Sequence, residues 1–284
     1  MSGIFLALLA AASWGSIVFV SKKLGGDENS QTLGTTVGAL LFAIAVYIYK
    51  QPDLSMLIWI VGFFSGLFWS LGQKNQFGAV RYLGVAKTTP MSTGLQLIGT
   101  TFFGAFVFNE WETTMEIIIG IASLVLIIAG AVVISMQQGG ESGKSNNLKK
   151  GLVILAISTA GFVGYVVLIQ WFEIDGWAAV LPQGVGMVTG ALLLTLTHKP
   201  YNKYAVRNIF TGILWGAGNL GLLLSLPKIG VATSFSLSQT GIVISTIGGL
   251  FFLNERHSKK QVLLVLLGCM LIIAAGVLLG ITKA

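Results

Sequence analysis

About ten continuous apolar runs fill most of this chain. A helix that crosses the roughly 30 Å hydrocarbon core of a bilayer needs about 20 mostly apolar residues, and each run approaches that length. Because the runs are apolar without alternation, they do not fit the strands of a transmembrane β-barrel. The predicted spans are 3–20, 33–49, 54–73 or beyond, 86–108, 116–136, 152–172, 177–197, 209–226, 231–253 and 262–281.

Composition supports a membrane protein. Hydrophobic residues make up 54% of the chain and charged residues only 10%, which is too little polar side chain to cover a soluble globule. The net charge of +7 does not indicate nucleic-acid binding, because the cations lie in short clusters between apolar runs and form no basic face. The single cysteine, Cys269, lies inside an apolar run, where it is expected to be a small core residue.

One polar stretch divides the chain. Residues 137–150, QQGGESGKSNNLKK, are rich in Gly, Ser, Asn and charge, as in a linker. They separate an N-terminal repeat, 1–136, from a C-terminal repeat, 151–284, each with five predicted spans. Since five is odd, a second repeat built on the same pattern enters the membrane in the opposite orientation. The predicted fold class is an all-α integral membrane protein with about ten transmembrane helices in two inverted five-helix repeats.

The loop charges support this inversion. Cytoplasmic loops of membrane proteins are enriched in Lys and Arg. Of the 17 Lys and Arg residues, all but three fall in the odd-numbered loops, and the exceptions are Lys50, Lys228 and Lys283. The termini are therefore predicted to lie outside the cell and the 137–150 linker in the cytoplasm.

A duplicated stretch relates the two halves. Its copies, 66–110 and 212–255, share a Trp, a Gly followed by an amide residue, and a Gly-Val-Ala triplet in the same order, and each closes with Asn-Glu. The distance from Trp69 to Gly84 equals that from Trp215 to Gly230, 15 residues in both copies. Inverted repeats of this kind are characteristic of membrane transporters, whose substrates bind near the bilayer midplane at the repeat interface.

Amide side chains within the apolar runs are the first candidates for a binding site. Polar groups in a bilayer are costly and persist where they meet each other, water or a ligand. An amide donates and accepts hydrogen bonds without net charge, which suits a neutral polyhydroxylated solute better than an ion. The alternative is that they join helices by hydrogen bonds. The candidate substrate-binding amides are Gln73, Asn75, Gln96, Asn219 and Gln239.

Three tryptophans complete this candidate site. Trp14, Trp69 and Trp215 lie within predicted spans beside small residues. Trp69 is four residues before Gln73, and Trp215 is four before Asn219, so each pair shares a helix face. An aromatic face beside amides suits the stacking of a sugar ring whose hydroxyls are hydrogen-bonded. Inversion is expected to bring the two pairs together.

Charged residues near the spans are candidates for gating or coupling: Lys74, Glu110, Glu173 and Glu255. Lys74 is an ordinary cytoplasmic lysine if the third span ends at Gly72, and an intramembrane cation facing a cavity if that span continues to about Val80. The three glutamates lie near helix ends, where capping or solvation is their default role. No carboxylate falls in the middle of a predicted span.

Enzyme signatures are absent from the sequence. It contains no HExxH zinc motif, no phosphate-binding loop and no GxSxG elbow, so neither a metal site, a cofactor nor a catalytic group is predicted. A membrane enzyme or structural subunit would need a catalytic cluster at the cytoplasmic face, and none is visible.

The duplicated motifs resemble those of the drug/metabolite transporter superfamily. They are LFWSLGQKNQF with VAKTTPMSTGLQLIGTTFFGAFVFNE, and ILWGAGNLGLLLSLPKIGVATSFSLSQTGIVISTIGGLFFLNE. Within that superfamily the whole chain resembles the bacterial glucose/ribose uptake family, and Ser13-Trp14-Gly15 and the SQTG at 238–241 are its more specific marks.

The resemblance implies a multi-pass permease of the bacterial plasma membrane that takes up glucose, or ribose, by symport with protons. The expected partners are a neutral sugar and the lipid bilayer, with protons as the coupling ion and no nucleic acid. An exporter of drugs or metabolites on the same fold is the alternative. A cationic-drug exporter would be expected to carry an embedded acid, which this sequence lacks.

Overall fold

The structure, a computed structural model, describes residues 2–107, 111–135, 144–229, 237–248 and 258–281. Within these residues the chain is helical and contains no strand, as predicted. The helices are α1 (Ser2–Leu24), α2 (Glu28–Lys50), α3 (Met56–Leu83), α4 (Val85–Phe106), α5 (Thr114–Ser135), α6 (Lys144–Trp171), α7 (Gly176–Thr195), α8 (Lys203–Ile229), α9 (Gly241–Ile247) and α10 (Lys259–Ile281).

Six of the described helices are long and apolar enough to cross a membrane: Ser2–Leu24, Glu28–Lys50, Met56–Leu83, Leu148–Trp171, Gly176–Thr195 and Lys259–Leu278. A shorter apolar stretch, Thr114–Gly130, lies in α5. These helices agree with an all-α multi-pass membrane protein, while the full count of ten spans stays a prediction. Of the predicted ninth span, 231–253, only residues 237–248 are described.

The region of the predicted linker is described only in part. Helix α6 begins at Lys144, inside the 137–150 stretch, and residues 136–143 lie outside the described part of the chain. The division into 1–136 and 151–284 stays a prediction.

Helix α2 has a strong N-terminal cap. The Asp27 carboxylate accepts hydrogen bonds from the backbone N–H of Ser30 at 2.9 Å and from its hydroxyl at 2.6 Å. Partial burial works to raise the pKa of the Asp27 carboxyl, but these hydrogen bonds outweigh it and hold the pKa below its usual value. The cap starts α2 five residues before the first position of the predicted span, so the polar segment from Asn29 to Thr32 is helical and buried.

Glycine permits the tight connection between α3 and α4. Gly84 has a φ of 75°, a conformation that a side chain disfavours, and it is the only residue between the two helices. Gly78 lies inside α3. Because α3 continues to Leu83, Lys74 lies within a helix rather than in a loop.

The Cα positions group into two compact units. The first unit comprises Met1–Phe19, Ala79–Leu155 and Gly218–Ala284, and the second comprises Val20–Gly78 and Ala156–Ala217.

In the first unit, α4, α5 and α10 form an apolar core. It includes Met91, Leu97, Ile127, Val265 and Ile272, all nearly inaccessible. Cys269 is buried in this core, in agreement with its predicted packing role. Helix α1 approaches α9 closely, since a Cβ added at Gly15 would overlap the backbone carbonyl of Gly241.

In the second unit, glycines bring helix backbones into contact. A Cβ added at Gly212 of α8 would overlap the carbonyl oxygen of Thr35 in α2, and one at Gly38 of α2 would overlap that of Ile209. Likewise, a Cβ added at Gly66 of α3 would overlap the Gln183 carbonyl in α7. Small residues of this kind let membrane helices pack where apolar side chains supply little driving force.

The same second unit repeats this contact on its other pair of helices. A Cβ added at Gly186 of α7 would overlap the carbonyl oxygen of Phe63 in α3, as Gly38 does with Ile209. The contact between α2 and α8 and the contact between α7 and α3 therefore use glycines in the same arrangement.

Candidate functional site

Aromatic rings cluster around Trp69 in the second unit. The Trp69 side chain is 1% exposed. Its ring centroid lies 5.0 Å from that of Trp215 at an interplanar angle of 60°, and 6.2 Å from that of Phe162 at 73°. The two tryptophans expected to converge are thus in edge-to-face contact, a favourable geometry for aromatic pairs. Phe162 is a member of this cluster that the sequence did not single out.

The amide of Gln73, four residues after Trp69, has a hydrogen-bond partner within its own helix. Gln73 is 2% exposed and donates a hydrogen bond of 3.1 Å from Nε2 to Oε1 of Gln76, one turn further along α3. Asn75 is half-buried, and its amide donates to the carbonyl of Leu71 within the same helix at 2.8 Å. Both hydrogen bonds are local, so α3 supplies its own partners for these two predicted residues.

Lys74 contacts the end of a neighbouring helix. Its Nζ donates a hydrogen bond of 2.7 Å to the carbonyl oxygen of Leu194 in α7. Helix α7 ends at Thr195, and the last carbonyls of a helix lack partners within it and carry partial negative charge. The ammonium group therefore caps α7 from outside, and the half-buried side chain fixes α3 against α7.

Replacing Lys74 by methionine should lower the free energy of unfolding by about 1.5 kcal/mol, the lower end of the contribution of a hydrogen bond with a charged donor, because Lys74 is only half-buried. Thermal unfolding of the detergent-purified protein measures the effect. Lys149→Met provides the control, since Lys149 is an exposed lysine on α6. Equal melting temperatures for the two variants would show that the bond to Leu194 contributes nothing to stability.

A second group of predicted residues lies in the first unit, around α1. Trp14 lies against α8, because a Cβ added at Gly218 would be 2.6 Å from two atoms of its ring. Asn219 follows Gly218 and is 7% exposed. Among the described residues the Asn219 side chain has no hydrogen-bond partner. An amide that makes no hydrogen bond to the protein can bond to a solute, so Asn219 is a candidate for a ligand contact.

The remaining predicted amides also lie in the first unit. Gln96 of α4 is half-buried and donates from Nε2 to the Ser92 hydroxyl at 3.0 Å. Gln239 is half-buried as well, two residues before Gly241, whose added Cβ would overlap the carbonyl of Ala11 in α1. The structure therefore places Trp14 against Gly218, the residue before Asn219, and puts Gln239 on the segment that packs against the same part of α1.

The candidate coupling carboxylates are not part of either group. Glu173 is exposed and follows α6 with a φ of 51°, as expected for a residue at a helix end. Glu110 and Glu255 lie outside the described residues. Within the described part of the chain, no three His, Cys, Asp or Glu side chains are placed to hold a metal ion.

Sequence reasoning missed the hydroxyl that precedes each central tryptophan. Ser65 lies four residues before Trp69; it accepts from Gln183 Nε2 at 3.0 Å and donates to the carbonyl of Tyr165 at 2.8 Å. Thr211 lies four residues before Trp215 and is also fully buried. The signal was the shared spacing of hydroxyl, tryptophan and amide, which recurs in both halves at intervals of one helical turn.

Comparison with known proteins identifies close relatives. The model of the family described as "Sugar transport protein" matches residues 5–282. The glucose uptake protein GlcU of Bacillus subtilis (strain 168) is 53% identical over 282 residues, which cover 99% of this chain and 98% of that protein. The probable glucose uptake protein GlcU of Priestia megaterium is 54% identical over 285 residues, covering 99% of each.

A solved crystal structure is also similar. It has a TM-score of 0.65 and 16% identity, and the match covers 98% of this chain and 96% of that chain. At this identity the likeness shows the fold alone.

Proposed function

The chain belongs to the sugar transport protein family, and from that premise we propose that it takes up a neutral sugar, glucose, across the bacterial plasma membrane. This membership agrees with the resemblance of the whole chain to the bacterial glucose/ribose uptake family. The observation that best supports a sugar as solute is the buried, uncharged surface of aromatic rings and amides. Such groups stack a sugar ring and hydrogen-bond its hydroxyls.

The binding residues we propose are those of the two groups around α1 and Trp69. Trp14, Asn219, Gln239 and Gln96 belong to the first unit, and Trp69, Trp215, Gln73 and Asn75 to the second. In the second unit the side chains of Trp69 and Trp215 are buried and in contact with each other, so they serve as a rigid aromatic support. The unpaired amide of Asn219 is the group best prepared to exchange water for a sugar hydroxyl.

The repeat architecture belongs to the same proposal: ten spanning helices in two inverted repeats, 1–136 and 151–284. Its support is the paired glycine contacts of the second unit. Helix α8 meets α2 through Gly212 and Thr35, and α3 meets α7 through Gly66 and Gln183. Gly66 and Gly212 each lie three residues before their tryptophan. In one contact the first half supplies the glycine and the second half the carbonyl, and in the other contact the reverse holds. Two copies related by a two-fold axis are expected to contact in this way.

Transport then follows alternating access, with both termini outside and the 137–150 segment in the cytoplasm, as the distribution of basic residues favours. Coupling to protons would require a titratable side chain that the transport cycle exposes to both sides of the membrane. Glu173 is exposed, and Lys74 is held by the Leu194 carbonyl. We assign Lys74 the role of fixing α3 in position, and leave Glu110, Glu173 and Glu255 as the carboxylates to test for coupling.

The test is uptake of labelled glucose by cells or vesicles that lack their own sugar transporters. We expect saturable uptake that unlabelled glucose inhibits, and accumulation that a proton uncoupler abolishes. Accumulation that survives the uncoupler would exclude proton coupling. Uptake of ribose without glucose would change the substrate, and drug resistance without uptake of either sugar would favour an exporter and overturn the proposal.

A further inference from the structure

Among the buried polar side chains of the first unit that make no hydrogen bond within the described residues, two lie where α1 meets α8. They are Ser13, which is 6% exposed, and Asn219, which is 7% exposed. Ser13 lies against the residue before Asn219, since a Cβ added at Gly218 would be 2.9 Å from the Ser13 Cβ. A serine and the asparagine that follows Gly218, both largely buried and neither hydrogen-bonded through its side chain within the described residues, thus lie where α1 meets α8.

The residue of the other half that corresponds to Asn219 has a hydrogen-bond partner. Asn219 corresponds to Gln73, whose amide donates to Gln76 one turn further along α3. The residue at the same position after Asn219 is Leu222, a buried side chain that cannot hydrogen-bond. The loss of this one partner leaves the amide of α8 unpaired while that of α3 is paired. The two halves are therefore chemically unequal at equivalent positions.

We propose that Ser13 and Asn219 together form a subsite that binds a hydroxyl edge of the sugar and so fixes its orientation, an inference that rests on the proposed sugar transport. The serine hydroxyl donates one hydrogen bond and accepts others, and the amide donates two and accepts. This set matches adjacent hydroxyls, each of which is both donor and acceptor. Neither group is charged, so the subsite favours a neutral polyol over an ion. The half-buried Trp14 ring, beside Gly218, supplies the apolar surface next to it.

If Ser13 served only helix packing, its replacement by alanine would leave glucose transport unchanged. The close approach of α1 to Gly218 requires a small side chain at position 13, and alanine meets that requirement as well as serine does. Ser13→Ala therefore keeps the helix contact and removes only the hydroxyl. If Ser13 serves packing alone, this variant transports glucose as the parent protein does.

The experiment compares Ser13→Ala and Asn219→Leu with the parent protein in proteoliposomes, using glucose and the set of its monodeoxy analogues. We expect a roughly tenfold rise in KM for glucose in each variant, the loss that one or two hydrogen bonds between uncharged groups would cause. For the analogue that lacks the bound hydroxyl, parent and variant should have the same KM. Ser225→Ala is the control, because Ser225 is a buried residue of α8 whose hydroxyl bonds within its own helix.

Two results would overturn the subsite. One is an unchanged KM for glucose in Ser13→Ala. The other is that the substitution raises KM by the same factor for every deoxy analogue. A hydrogen bond to one sugar hydroxyl cannot form with the analogue that lacks this hydroxyl, so for that analogue the substitution should leave KM unchanged. Absence of glucose uptake by the parent protein would instead refute the proposed function, so the two failures are distinguishable.

A second measurement does not depend on transport. Ser13→Cys in a Cys269→Ser background leaves one cysteine, at the proposed subsite. Glucose should slow the alkylation of this cysteine by a small maleimide several-fold, while a sugar alcohol that is not transported should leave the rate unchanged. Equal alkylation rates with and without glucose would contradict the proposal.

Discussion

Replacing Trp69 by alanine should abolish glucose uptake and destabilise the protein by about 3–5 kcal/mol. The Trp69 ring is 1% exposed and packs against the rings of Trp215 and Phe162. Alanine would leave a cavity between these two rings, and the support that orients the neighbouring amides would be lost. Trp69→Phe keeps an aromatic ring and should retain part of both stability and uptake.

Uptake of labelled glucose and thermal unfolding in detergent measure the two effects separately. Trp171→Ala is the matched control, because Trp171 lies at the end of α6 with 56% of its surface exposed, and its removal should change neither quantity by much. Normal uptake by a Trp69→Ala protein of parental abundance would show that this aromatic cluster has no part in transport.

The second large effect concerns the glycines of the second unit. Gly212→Ala and Gly66→Ala should each prevent accumulation of folded protein, although alanine normally favours a helix by roughly 1 kcal/mol over glycine. The new methyl group would overlap the backbone carbonyl of Thr35 in one case and of Gln183 in the other. Neither carbonyl can move aside without displacing its helix, so α2 and α8, or α3 and α7, must separate.

Gly276→Ala tests whether the expected loss of folded protein comes from the close contact between helices or from replacing a glycine by alanine as such. Gly276 is a buried glycine of α10, and the nearest atom to an added Cβ there is Leu97 Cδ1 at 4.0 Å. This variant should accumulate and unfold as the parent does, or be slightly more stable. Size-exclusion profiles of the three variants in detergent provide the comparison, and monodisperse Gly212→Ala protein with a parental melting temperature would contradict the close packing.

The positions of the helices could be predicted from sequence because bilayer thickness and side-chain hydropathy fix them. The ends differ where polar residues extend a helix beyond its apolar run. Helix α2 begins at Glu28 because Asp27 caps it, and α3 continues through Gln73-Lys74-Asn75 to Leu83. Neither extension has an apolar signal, so a search for apolar runs ends these spans too soon.

The members of the candidate site could be predicted in part, and their partners could not. Spacing along one helix placed Trp69 beside Gln73, and the repeat suggested that Trp69 meets Trp215. Spacing cannot tell whether an amide is paired, because the answer depends on its neighbours in space. Gln73 has a hydrogen-bond partner in Gln76, whereas the Asn219 side chain has none among the described residues. Likewise, the sequence could not show that Lys74 bonds to the Leu194 carbonyl, because that carbonyl belongs to a distant helix.

The glycine contacts of the second unit bear on how the two halves of the chain depend on each other. Helices α2 and α3 come from one half of the sequence, α7 and α8 from the other, and the backbone contacts described here join a helix of one half to a helix of the other. A single half would leave these faces unpaired in lipid. On the inverted repeats proposed above, each half therefore supplies the helix surface that the other half needs, as the two subunits of a dimer would.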